Sequence, residues 1–118
     1  MNIKEYIEKA SRTDAPLSSP RDHDFHMIFG MLTEIGELAD VYKKNLAYGR
    51  ETDLYNVKEE LGDLMWYVAN FCKTNDFDIE KILESNINKL MSRYPEKFTQ
   101  KDALERDLKL ERKALEIE

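Results

Sequence analysis

The sequence has little of what locks or interrupts a chain. Of its 118 residues, one is cysteine, three are proline and four are glycine. A single thiol, Cys72, excludes an intramolecular disulfide and any zinc site built from several thiolates. It suits a reducing, cytoplasmic compartment. No segment approaches the ~20 apolar residues of a membrane span. The charged start MNIKEYIEKA lacks the apolar run of a secretion signal. A soluble protein without a membrane partner is expected. Positive charge is also in deficit, with 18 Lys plus Arg against 24 Asp plus Glu, a net charge of −6. That argues against a nucleic-acid backbone as partner, because phosphate neutralisation needs a basic face. It leaves room for a phosphorylated small molecule carried to an acidic site by metal ions.

What the chain does have is helical periodicity. No stretch shows sustained alternation with a period of two, so the fold class is all-α, a bundle of about four core helices with a C-terminal tail helix. Ile3, Tyr6, Ile7 and Ala10 mark a short first helix. Thr13 to Arg21, with Pro16, Ser18, Ser19 and Pro20, reads as a loop. Asp22 or Asp24 is expected to cap a second helix running to about Ala47. Its core stripe reads as Phe25, Ile28, Leu32, Ile35, Ala39, Tyr42 and Leu46. After the break at Tyr48-Gly49-Arg50, Thr52 or Asp53 opens a third helix with Leu54, Val57, Leu61, Leu64, Val68 and Phe71 inside. Asp78 caps a fourth helix with Ile79, Ile82, Leu83, Ile87 and Leu90 inside, which stops ahead of Pro95. Thr99 and Asp102 resemble a capping box at the start of one tail helix, whose thin apolar stripe is Leu104, Leu108, Leu115 and Ile117. One domain over 1–118 is expected.

Two acid pairs carry the chemistry. Glu34-Ile-Gly-Glu37 lies on the second helix and Glu60-Leu-Gly-Asp63 on the third. Residues three apart on a helix are neighbours, about 5–6 Å between Cβ atoms, and like charges there destabilise the helix by about 0.2–0.5 kcal/mol. The helical neighbours of Glu34 are Met27, Gly30, Met31, Glu37, Leu38 and Val41, all but one apolar or glycine. Glu34 therefore sits on a face that ought to be buried, where an ionised carboxylate needs a partner. Four carboxylates from facing helices suit hard divalent cations, Mg²⁺ first and Mn²⁺ as substitute. Two such ions form a clamp for displacement at phosphorus. The competing account is that i, i+3 acid pairs arise by chance on solvated faces of so acidic a chain.

The fourth helix aligns Asn86, Lys89 and Arg93, an amide, an ammonium and a guanidinium suited to phosphate. Equally, they read as solvated charges on the polar side of a bundle helix. His23 and His26 read as capping and surface residues, Trp66, Tyr67 and Phe71 as core, Cys72 as an inert buried thiol, and Glu59 as either an auxiliary ligand or a surface acid.

The segments GMLTEIGELADVYKK, VKEELGDLMWYVANF and ESNINKLMSRYPEKF closely resemble the MazG-like nucleotide pyrophosphohydrolases of the all-α NTP pyrophosphatase group, over roughly residues 25–98. The resemblance implies a Mg²⁺-dependent helical-bundle enzyme that cleaves nucleoside triphosphates between the α and β phosphates, in nucleotide-pool housekeeping, as a homodimer or homotetramer. It implies Glu34, Glu37, Glu60 and Asp63 as metal ligands, Glu34 or Glu37 as the proton acceptor, and Asn86, Lys89, Arg93 and Tyr94 as nucleotide-facing residues. Many members carry a further acid where Thr33 stands. Alternatives are a dUTPase-like or phosphoribosyl-ATP pyrophosphatase-like hydrolase of the same superfamily, or a non-catalytic helical oligomerisation module.

Overall fold

The computed structural model describes residues 1–17 and 19–116. Ser18 of the expected loop, and Ile117 of the expected tail stripe, lie outside the described residues. The fold is all-α, as expected, with no strand among the described residues. The helices are α1 (Ile3–Ser11), α2 (Pro20–Tyr48), α3 (Leu54–Thr74), α4 (Ile79–Arg93), α5 (Gln100–Leu104) and α6 (Leu108–Leu115). The chain divides into two compact units, Met1–Asp76 and Phe77–Glu118. No helix of the described residues is long and apolar enough to cross a membrane.

Most helix starts follow side-chain caps visible in the sequence. Asp53 opens α3 by accepting from the N–H groups of Tyr55 and Asn56, and Asp78 does the same for α4 at Glu80 and Lys81. The start of α2 differs from expectation. Ser19 caps it by accepting from Asp22 N–H, and Pro20 takes the first helical position, where its missing N–H costs nothing. The expected loop is correspondingly shorter. α2 ends where Gly49 adopts φ 64°, a left-handed turn that glycine enters without strain.

In the first unit, α3 packs on both α2 and α1. The buried face of α2 is His23, Met27 and Gly30, continued by the half-buried Met31, Glu34, Leu38 and Val41. The stripe expected inside is instead exposed in the single chain. Phe25 is 41% exposed, Ile28 45%, Leu32 66%, Ile35 49%, Tyr42 51% and Leu46 89%. A helix this long carries two apolar faces, and the partner helix takes the one that bears Glu34. On α3, Leu54 and Leu61 are likewise exposed, while Ala69, Asn70 and Cys72 are buried. Gly30 is required by packing. A Cβ there would stand 2.1 Å from Cε1 of Tyr67, so the ring lies directly on the α2 backbone. His23 is buried rather than a surface residue, holding Asp14 through Nε2 at 2.5 Å.

In the second unit, α4 packs on α6. Ile79 is buried and Leu90 half-buried, but Ile82, Leu83 and Ile87 are exposed. The expected single tail helix is two. It stops at Glu105, and Asp107 starts it again by accepting from Leu110 N–H. The break frees Arg106 to reach Glu111. That carboxylate, 3% exposed, meets Arg93 Nε at 2.5 Å and Arg106 Nη2 at 2.6 Å.

Candidate metal centre

The spacing of three on each helix, with α2 packed on α3, brings Glu34, Glu37 and Glu60 together. One carboxylate oxygen from each lies within 4.8 Å of the other two. Asp63, the fourth expected ligand, is exposed and lies outside this converging set. Glu60 is 7% exposed and Glu34 half-buried. Glu34 Oε2 and Glu60 Oε2 are both buried without a hydrogen-bond donor. Buried acceptors are rarely left bare. Two such oxygens in one group of like charges fit a divalent cation, which binds hard oxygen donors.

The titration behaviour of the cluster has the same origin. A hydrogen bond shared with Glu60 holds the Glu37 carboxyl above its usual range, and the charge of Glu60, lost hydration and the charge of Asp63 add to it. Glu60 is raised first by its hydrogen bond with Glu34, then by burial, against a lowering by its hydrogen bond with Glu37, and the charges of Glu34 and Glu59 add to the rise. The exposed Glu59 thus acts on the site through its field. Burial, then the charges of Glu34, Asp63 and Glu37, push the Tyr67 phenol up, so it remains a proton donor beside the acids. Tyr6, raised by burial and by Asp63, behaves alike.

A cleft of about 800 Å³ opens beside the acids and includes Glu37 and Glu60 in its wall. Thr33, Lys44, Arg50 and Asn56 also line it. Thr33 donates to the Gly30 carbonyl at 3.0 Å. Lys44 and Arg50 were not singled out by the sequence. Lys44 had a signal, since it lies seven residues after Glu37 on the same helical face. Arg50 follows a helix break, where periodicity carries no information. Of the α4 residues, Asn86 is exposed and Lys89 half-buried. Arg93 is ion-paired with Glu111, and its guanidinium carbon lies 5.7 Å from the centre of the Tyr94 ring. Gly36 and Gly62, which interrupt the acid pairs, have open space where a Cβ would stand.

The helices and converging carboxylates define an all-α protein with an acidic cluster that could hold a divalent cation. Residues 25–98 match the family model of the MazG nucleotide pyrophosphohydrolase domain, more than half of the chain. The chain belongs to that family, whose members typically depend on a divalent metal. It is also similar to the Gene 37 protein of Mycobacterium phage L5, 36% identical over 75 residues, which is 58% of this chain and 63% of that protein. The chain thus spans under two thirds of that relative's length. No solved structure matches it.

Proposed function

We propose that the protein is a Mg²⁺-dependent nucleoside triphosphate pyrophosphohydrolase, releasing a nucleoside monophosphate and pyrophosphate in nucleotide-pool housekeeping. The observation that carries this reading is the convergence of Glu34, Glu37 and Glu60 with two bare buried oxygens, within a chain of the MazG family. Glu34, Glu37 and Glu60 hold the metal, with Asp63 joining through a rotamer change. When bound, the metal supplies Lewis acidity to phosphate oxygens and acidity to water. Glu34 or Glu37 accepts the proton of the attacking water as general base. Asn86, Lys89, Arg93 and Tyr94 are proposed to face the nucleotide. Mn²⁺ is expected to substitute.

The protein is further proposed to act as a homodimer or homotetramer in the cytoplasm. The exposed α2 stripe from Phe25 to Leu46 supports assembly, being long, apolar and uncovered by the described residues. The test is a panel of canonical and damaged nucleotides with Mg²⁺, scored for monophosphate plus pyrophosphate. Turnover of dUTP alone or of phosphoribosyl-ATP alone would move the protein to the corresponding neighbouring group. No turnover, with no Mg²⁺-dependent rise in Tm, would mark a non-catalytic helical module.

A further inference from the structure

Arg50 stands apart from the arginines of the second unit. Arg93, Arg106 and Arg112 each grip a carboxylate. Arg50 has no carboxylate partner among the described residues, although Glu51 and Asp53 line the same cleft. Its backbone is nonetheless held on both sides. Arg50 N–H donates to the Lys44 carbonyl at 3.4 Å, and Asn45 Nδ2 donates to the Arg50 carbonyl at 2.6 Å. Gly49 makes this possible by turning left-handed and donating its N–H to the Asn45 carbonyl at 2.9 Å. The Lys44 and Asn45 carbonyls in the last turns of α2 are thereby occupied, which fixes the path of the chain at Arg50.

The cleft that Arg50 enters is the one walled by Glu37 and Glu60. Lys44 lies between, seven residues or about 10 Å of rise beyond Glu37. Helical side chains lean toward the N-terminus, so Lys44 leans back toward the acids, as its 2.8 Å pair with Asp40 shows. Beyond Glu37 and Glu60 the cleft thus carries two cations, Lys44 paired with Asp40 and Arg50 beside Glu51 and Asp53. A metal-bound polyphosphate lying along it would place its reacting phosphorus by Glu37 and its outer phosphates by Lys44 and Arg50. A guanidinium fork matches two phosphate oxygens.

We infer that Arg50, seconded by Lys44, binds the terminal phosphates of the substrate and so fixes the direction in which the triphosphate lies. This rests on the proposed pyrophosphohydrolase reading and adds to it the group that holds the departing pyrophosphate. The test is calorimetric binding of inorganic pyrophosphate in Mg²⁺, beside steady-state hydrolysis of one accepted nucleoside triphosphate. Arg50→Ala is expected to weaken pyrophosphate binding and to raise KM, each by about tenfold. Arg50→Lys should recover part of the loss, and Tm should not change, since the side chain is exposed. Arg112→Ala, an exposed arginine of the second unit, should leave both constants at the wild-type value. Wild-type pyrophosphate affinity in Arg50→Ala, or no pyrophosphate binding by the wild type, overturns the assignment. A wild type that binds pyrophosphate through Arg50 yet releases none from any triphosphate overturns the hydrolase reading and leaves Arg50 as an anion site.

Discussion

The two units each bring together a cluster of charged side chains around one buried glutamate, Glu60 in the first and Glu111 in the second, and the clusters are opposites. In the first, Glu34, Glu37 and Glu60 converge with like charge and two bare oxygens. In the second, Glu111 sits between Arg93 and Arg106 with both of its oxygens engaged. Their titration diverges accordingly. A hydrogen bond with Glu60 raises Glu37 and one with Glu34 raises Glu60, whereas the hydrogen bonds from Arg93 and Arg106 lower Glu111 to about 2. A satisfied cluster holds a fold together. An unsatisfied one with two buried bare oxygens calls for a ligand.

Substitution should separate the two. The largest effect is expected for Glu34→Gln, which should lower turnover by about 100-fold or more, since even outer partners of metal ligands are worth 10–100-fold. Its metal-free Tm should hold or rise, because removing one of several crowded acids relieves repulsion. Glu111→Gln should do the reverse to stability and give the deepest fall in Tm of the set, by leaving two guanidinium groups half-paired. Thermal melts of both variants with and without Mg²⁺ check this contrast.

Acid sharpens it. Glu111 has a lowered pKa in the fold, so its contribution is fully present above the ordinary value of 4.5 and is lost as pH falls toward about 2. Glu37 and Glu60 have raised values, so the metal-free fold retains protons that the unfolded chain has shed. Their contribution is present below 4.5 and is lost as pH rises through the raised values. Added Mg²⁺ should reverse that loss by displacing the protons. Denaturant melts between pH 2 and neutrality, as a function of Mg²⁺, should show both limbs, and Glu111→Gln should erase only the acid one.

Gly30→Ala comes next in size. It forces Tyr67 off the α2 backbone, with an overpacking cost of about 1–3 kcal/mol, and moves a phenol that faces the acids. The smallest effect is expected for Arg112→Ala. Its pair with Glu116 joins two exposed side chains one turn apart, and Tm should stay within error.

Much of this was legible in the sequence because it is written locally. Asp53, Asp78 and Thr99 declare helix starts through one side chain and the N–H groups that follow. The apolar ring around Glu34 announced an acid with a buried oxygen before any partner was visible. What remained hidden depends on contacts distant in sequence. Periodicity reports that α2 is apolar on two sides but not which side α3 takes. The need for Gly30 comes from a ring 37 positions later. The tail read as one helix because its stripe continues through the break, which Asp107 makes and Glu111 rewards with a second arginine. Arg50 lay in a connection, where spacing has no meaning until the chain has turned.

The most direct test of the account is a calorimetric titration of the metal-free protein with Mg²⁺ or Mn²⁺, wild type against Glu60→Gln. Saturable binding by the wild type, weakened at least about tenfold in the variant with the helical spectrum unchanged, is the expected result. Binding that is absent in the wild type, or equal in both proteins, would contradict it.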